Sequence, residues 1–475
     1  MYAKHPLKFY IGGNWVAPTS DAVIPVENPA TGTEIAQVAL GTETDVNAAV
    51  SAALKAQKSF RQTTPADRKD LLLRILSIYE TRAADVSKAI RDELGAPHDL
   101  AYGAQTGVAL GHLRAFADAI DQMNFEHNLP NGNSVIKEPI GVVGLITPWN
   151  WPIHQISLKV FAALAAGCCC VLKPSEVTPL NALVLSEILD EAGVPAGVFN
   201  LVNGDGQTTG AALARHPKVA MMSFTGSTAG GMAVAQESAK SIKKVALELG
   251  GKSPCLIFAD ANLGAAMKST LSKVFGNSGQ NCNAPTRILV ERPIYEKAKK
   301  TASEITETFT VGDPQNRGNH IGPVANARQW HHIQSLIQSG LDQGANLLIG
   351  GPGKPEGLEG GHYVQPTVFA DVTADMDIVT TEIFGPVVVM SPFDTEDEAV
   401  NIANDTDYGL AAFVYSADKG RVDRLTRQLE AGMVFSNGAD ISYGSPFGGC
   451  KKSGYGREGG VYGIEEFLAA KLVSC

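Results

Sequence analysis

Gly141-Val142-Val143-Gly144-Leu145-Ile146-Thr147-Pro148-Trp149-Asn150 is a short apolar run that stops on a polar, proline-containing tip, and the same arrangement recurs along the chain. Cys168 to Leu172 ends at Lys173-Pro174-Ser175-Glu176, Val198 to Val202 ends at Asn203-Gly204, and Met221 to Phe224 ends at Thr225-Gly226-Ser227. Each run is followed by a helix-like stretch. Upstream, Asp45 to Phe60 carries Val46, Ala49, Val50, Ala53 and Leu54 on one helical face, and Asp67 to Leu94 repeats leucine and isoleucine at helical spacing. This strand–loop–helix rhythm predicts an α/β fold with a parallel, Rossmann-like sheet. Such sheets bind ligands beyond the carboxyl ends of their strands, so the polar tips are where a dinucleotide is expected.

The tips are not equivalent. Gly204-Asp205-Gly206-Gln207-Thr208-Thr209-Gly210 has nearly the spacing of a dinucleotide fingerprint, but its last interval is one residue too long, and glycine clusters are the default for turns. Phe224-Thr225-Gly226-Ser227-Thr228 is the better candidate. Its small residues can open a helix whose N-terminal amides would face a pyrophosphate. Lys173 and Glu176 could hold the hydroxyls of an adenosine ribose, although an exposed Lys/Glu pair is also an ordinary solvated turn. A glutamate there would repel a 2′-phosphate, which favours NAD over NADP.

Two further segments carry reactive groups. Glu248 lies within Val245-Ala246-Leu247-Glu248-Leu249, where burying a charge is expensive and a carboxyl should titrate high, as suits a general base. The bland alternative is a strand-end glutamate turned to solvent. Cys282 follows Gly279-Gln280-Asn281 and precedes Asn283, with Gly276 nearby. Most cysteines are small buried hydrophobes, but this run is too polar and flexible for a core strand and suits a loop that presents a thiol. A thiol and a carboxylate on separate glycine-containing segments can meet as nucleophile and base.

Composition narrows the class. A chain of 475 residues exceeds one ordinary core, so two or more domains are expected. A net charge of −10 without a lysine/arginine block argues against nucleic-acid or acidic-membrane partners. No run approaches membrane-span length, and Met1 to Phe9 lacks the apolar stretch of a secretory signal. The seven cysteines include the adjacent Cys168, Cys169 and Cys170, which cannot form a normal bridge framework, and no spacing suggests zinc. A reducing cytoplasm is the expected location.

Taken in order, the motifs resemble the aldehyde dehydrogenase superfamily over nearly the whole chain. They are Ile146-Thr147-Pro148-Trp149-Asn150-Trp151-Pro152, Lys173-Pro174-Ser175-Glu176, Phe224-Thr225-Gly226-Ser227, Leu247-Glu248-Leu249-Gly250-Gly251-Lys252, Gly279-Gln280-Asn281-Cys282 and Glu382-Ile383-Phe384-Gly385-Pro386. Asn437 and Pro446-Phe447-Gly448-Gly449 with Lys452-Ser453-Gly454 complete the set. The resemblance implies that Cys282 attacks an aldehyde to give a thiohemiacetal and then a thioester. It implies that Asn150 and the Cys282 backbone N–H form the oxyanion hole, and that Glu248 activates the hydrolytic water. Thr147, Trp149, Thr225, Gly226 and Ser227 would line the cofactor site with Lys173 and Glu176. Glu382 would bind the nicotinamide-side ribose and Phe384 would pack near the nicotinamide. Lys159 and Glu458 fall at a buried family pair, better read as structural support than as catalysis.

The same resemblance implies three parts: a cofactor domain (1–118 and 140–250), a second α/β catalytic domain (251–448), and a β oligomerisation arm with the C-terminal tail (119–139 and 449–475). Homodimers or homotetramers follow, and the polar alternation of Asn133 to Glu138 suits an edge strand offered to a neighbour. The aldehyde tunnel would be walled by Trp151, Leu158, Asn281, Asn283, Ile441 and Phe447. An apolar tunnel with two aromatic walls fits a medium-sized aliphatic or aromatic aldehyde, with Asp440 and His154 near its mouth. A thiol hydrolase would need a histidine partner, and none of the ten histidines lies in a matching motif. A CoA-acylating enzyme would not need Glu248. A purely structural protein would need none of the three groups.

Overall fold

The apolar runs become neighbours in one eight-stranded sheet. In the computed structural model, which describes residues 2–474, its order is Asn14–Val16, Phe9–Ile11, Phe199–Leu201, Cys170–Lys173, Val143–Ile146, Met221–Thr225, Lys244–Glu248 and Gly454–Tyr455. The five central strands are parallel, and the flanking pairings are antiparallel. Every residue of Val143–Ile146 and Cys170–Lys173 is buried, which is why these strands read as continuous apolar runs without alternation. The chain runs outward from Val143–Ile146 in one direction, then returns to build Met221–Thr225 and Lys244–Glu248 on its other side. The tips of Val143–Ile146 and Met221–Thr225 therefore flank a switch point, where a crevice opens.

A second sheet has the order Asn346–Ile349, Thr367–Ala370, Val387–Phe393, Arg287–Glu291, Pro254–Ile257, Ala411–Tyr415 and Met433–Ser436. Only the Asn346–Ile349 edge is antiparallel. The fold is thus α/β with two parallel sheets. A three-stranded antiparallel sheet joins Leu468–Val473, Ser134–Pro139 and Glu126–Asn128. Of residues 449–475, which the sequence places with the arm, Gly454–Tyr455 instead extends the first sheet and Gly460–Glu466 forms a helix. Gly206–Gly210 forms a single π-turn, capped by the Asp205 side chain, that leads into the helix Ala211–Arg215.

Two helices carry side chains toward the crevice. Pro152–Ala166 begins with proline at its first turn, ends at Gly167 with φ 87°, and is buried at nearly every position. Its Lys159 donates to Ser223 Oγ at 3.0 Å and forms an ion pair with Glu458, all three groups being buried. Thr106–Gln122 packs against it.

Glu93 seats the segment that follows the Lys173 tip. Fully buried, it accepts the backbone N–H groups of Leu180 at 2.6 Å and Asn181 at 3.0 Å, and the Asn181 side-chain amide at 2.7 Å. Burial pushes its carboxyl up to about 8 against the opposing pull of these donors. Glu93→Ala leaves the buried donors unmatched and is expected to cost ~2–4 kcal/mol in denaturant unfolding. A loss below ~1 kcal/mol would show that water replaces the carboxylate.

Candidate active site

The carboxyl ends of the first sheet face loops of the second across a cavity of about 350 Å³. Trp149 and Asn150 reach it from the Val143–Ile146 tip, and Thr225 to Thr228 from the neighbouring tip. Glu248 ends its strand at the same wall, while Cys282, Glu382 and Phe384 come from the other side. A second cavity of about 490 Å³ adjoins the first. Asn150, Gln155 and Cys282 line both. The thiol therefore stands where two chambers meet.

Cys282 is half-buried in the loop after the helix Leu263–Phe275. The loop turns through three consecutive residues with left-handed backbone, Asn277 at φ 53°, Ser278 at φ 60° and Gly279 at φ 76°. A Cβ on Gly279 would stand 2.0 Å from the carbonyl carbon of Gly385. Only glycine permits this approach, which brings the Cys282 loop against the loop of Glu382 and Phe384. The neighbouring amides are held tightly. The backbone carbonyl of Asn150 accepts from Asn277 Nδ2 at 2.8 Å and Gln105 Nε2 at 3.1 Å. Asn150 Nδ2 donates to the Gln280 carbonyl at 2.9 Å, which leaves its second N–H free. Gln105, Asn277 and Gln280 were not singled out from sequence, although Asn277-Ser278-Gly279 is a legible left-handed turn signal. Gln105 lies on a π-turn 45 residues before Asn150, with no sequence signal.

The electrostatics are unusual for so enclosed a site. Burial pushes the Glu248 carboxyl well above the usual range, Glu458 adds like-charge repulsion, and Lys159 and Arg457 oppose the rise. Both Glu248 oxygens lack a hydrogen-bond partner within the described residues, and the side chain is only 3% exposed. The solvent-facing alternative is thereby excluded. Burial, then the charges of Glu382 and Glu248, push the Cys282 thiol up to about 12. Glu382 accepts the Gly251 backbone N–H at 3.0 Å, and its own burial lifts it to about 7.

The crevice toward the first sheet has the character of a nucleotide site. Ser227 caps the twelve-residue helix Thr228–Ala239 by accepting the Gly230 N–H at 3.2 Å, so the helix opens at the cavity wall. The hydroxyls of Thr225 and Thr228 have no partner there. Trp149 and Phe384 meet edge to face, centroids 5.3 Å apart, and Phe384 holds φ 54°, a strained value for an aromatic residue. Gly226 lines the same wall. Lys173, Glu176 and Thr147 do not. Lys173 is buried and donates to Glu176 at 3.0 Å and to the Gly204 carbonyl at 2.8 Å, and Thr147 is buried with its hydroxyl unpaired.

All six expected tunnel residues, Trp151, Leu158, Asn281, Asn283, Ile441 and Phe447, line the second cavity. Trp151 Nε1 donates to Asn281 Oδ1 at 2.5 Å and ties the two sides together. The walls are less apolar than those positions suggest, because His112, His154, Gln155, Lys273 and Asp440 line them too. His154 and Asp440 were expected near the mouth; His112, Gln155 and Lys273 come from helix faces whose orientation the sequence does not disclose.

A sequence model of the aldehyde dehydrogenase family matches residues 15–473. The chain belongs to the aldehyde dehydrogenase family. As a member, it is an NAD(P)-dependent oxidoreductase acting on aldehydes. It is 47% identical to a putative aldehyde dehydrogenase of Staphylococcus aureus over 98% of both chains. Among solved structures, the aldehyde dehydrogenase of Bartonella henselae superposes with TM-score 0.97 at 49% identity, covering 98% of each chain. A mutant of aldehyde dehydrogenase C from Pseudomonas syringae, in complex with NAD+ and octanal, gives 0.97 at 43% identity and covers 99% of this chain and 96% of that one. In this aldehyde dehydrogenase, Gly279→Ala is expected to lower kcat/KM by ~10²-fold or more, since misplacing groups of an active site by about 1 Å is costly. Circular dichroism should remain that of the folded protein. Near-native turnover would mean that the Cys282 and Gly385 loops separate without consequence.

Proposed function

We propose that this chain oxidises a medium-sized aliphatic or aromatic aldehyde to a carboxylic acid through a covalent intermediate on Cys282. The observation that carries this reading is the position of Cys282, shared between a nucleotide-like crevice and a tunnel. NAD, with NADP as the alternative, fits the first chamber, where the unpartnered Thr225 and Thr228 hydroxyls and the open helix end provide donors for a pyrophosphate. Lys173 and Glu176 would hold the adenosine ribose at its outer end, with one ammonium hydrogen of Lys173 still free. Glu382 would take the second ribose, between Trp149 and Phe384. The bound nicotinamide supplies the hydride acceptor.

The chain's own residues account for the rest. Cys282 Sγ adds to the carbonyl carbon, and the free Asn150 N–H with the Cys282 backbone N–H receives the developing oxyanion. Burial keeps the thiol protonated at rest, so attack requires loss of its proton, which passes to solvent in the open chamber and leaves Glu248 for the second step. After oxidation to the thioester, Glu248 takes a proton from water, which attacks the acyl carbon and releases the acid. A transfer to CoA would leave the buried, unpartnered Glu248 without a purpose. A histidine-assisted hydrolase is disfavoured because His154 is hydrogen-bonded to His112 and not to Cys282.

The division into a cofactor domain, a catalytic domain and a β arm, and assembly as a dimer or tetramer through that arm, belong to the same proposal. The edge strand Glu126–Asn128 and the largely exposed Leu468–Val473 strand support it. No described helix is long and apolar enough to cross a membrane.

Cys282→Ala is expected to reduce aldehyde-dependent NADH formation more than ~10³-fold while NAD binding, read by fluorescence quenching, persists. Substantial residual turnover would remove Cys282 from the reaction. In Glu248→Gln, a burst of NADH followed by a stall is expected, and a uniformly slow reaction without a burst would assign Glu248 to thiol activation instead. Because the Glu248 carboxyl is raised and must be ionised to act, steady-state turnover in the native protein should climb with pH through the neutral range. A profile already flat above pH 5 would contradict a raised base.

A further inference from the structure

Two histidines interrupt the tunnel's apolar wall. His112, on the helix Thr106–Gln122, and His154, on Pro152–Ala166, meet through Nε2 and Nδ1 at 3.1 Å, and both line the tunnel. His112 is only 6% exposed, and its Nδ1 has no partner. Tyr443 closes over the His112 ring edge to face, centroids 5.3 Å apart, while Trp151 stands at 6.1 Å from the ring of His154. Gln155, the next residue on the helix, borders the tunnel where it joins the Cys282 chamber, and its Oε1 is likewise unpartnered.

Burial holds both rings neutral. It lowers His154 to about 4, with Lys159 adding repulsion, and takes His112 well below its ordinary value, with His154 contributing. A neutral pair joined by one hydrogen bond uses one proton and one lone pair between its members. The two remaining nitrogens, Nδ1 of His112 and Nε2 of His154, are then one donor and one acceptor, whichever ring donates. A buried polar atom left unmatched is destabilising, and an aliphatic pair would avoid that cost. The wall's cation, Lys273, is committed to Asp440 at 2.9 Å. The tunnel thus offers neutral hydrogen bonding and no free positive charge.

We propose that His112 and His154 are specificity-determining residues, selecting aldehydes that carry a neutral hydrogen-bonding group, a hydroxyl or a carbonyl, on an otherwise apolar body. The inference rests on the reading of Cys282 as the nucleophile that the tunnel serves. It disfavours semialdehydes, whose carboxylate would find no unpaired cation.

The test compares isosteric pairs, 3- and 4-(hydroxymethyl)benzaldehyde against 3- and 4-ethylbenzaldehyde, with 4-carboxybenzaldehyde as the anionic member. The native protein is expected to favour a hydroxymethyl aldehyde over its ethyl counterpart about tenfold or more in kcat/KM, with the carboxylate poorest. In His112→Leu and His154→Leu, that ratio should fall toward one because the hydroxymethyl substrate loses more. His112→Asn and His154→Gln, which restore a polar atom near the free nitrogen, should recover part of it. Equal rates on both members in the native protein, a parallel fall of both in the leucine variants, or equal behaviour of the leucine and amide variants would each overturn the proposal. Oxidation of none of these aldehydes by the native protein would overturn the proposed substrate range of medium-sized aromatic aldehydes, and the inference with it.

Discussion

The contact between Gly279 and the backbone of Gly385 and Pro386 is the constraint from which the site follows. The first sheet presents loops at the carboxyl ends of its strands and the second presents loops that lead into the amino ends of its own, and an enclosed chamber forms only if loops from both can approach without side chains between them. Gly279 removes that obstacle, and the left-handed residues before it turn the chain so that Cys282 points into the gap. Gly250 repeats the device nearby, where a Cβ would lie 2.1 Å from Glu382 Oε2. Cys282, the strand end that bears Glu248 and the Glu382 loop are thereby set at one junction by backbone geometry.

This junction carries charge that ordinary packing would avoid. Glu248, Glu382 and the Cys282 thiol are gathered in a space where desolvation disfavours their ionised forms, and the buried Lys159 is itself paired with Glu458. Such an arrangement opposes folding, so the surrounding structure must over-determine it. The Asn150–Asn277–Gln105–Gln280 amide network and the buried helix Pro152–Ala166 provide that rigidity. In return, burial favours the neutral forms of both the thiol and the Glu248 carboxyl.

The parallel strands were legible because burial on both faces leaves unbroken apolar runs, and their tips were legible because proline, glycine and small polar residues punctuate them. Cys282 and Glu248 stood out because each violates its local context, a polar loop around a thiol and a charge in an apolar strand. Gln105, His112 and Gln155 were not legible. They lie on helices amid residues of ordinary helical pattern, and their roles depend on partners dozens of residues away.

The sequence by itself thus determined the α/β class, the order of the motifs, and the pairing of a thiol with a carboxyl. These are local properties, written in periodicity and in single residues that contradict their neighbours. The tertiary structure alone decided that the two chambers meet at Cys282, that Glu248 is unpartnered, that Lys173 turns to Gly204 and Glu176, and that two hydrogen-bonded histidines line the second chamber. Each of these depends on which strand ends and helix faces converge in space, and no local pattern encodes that convergence.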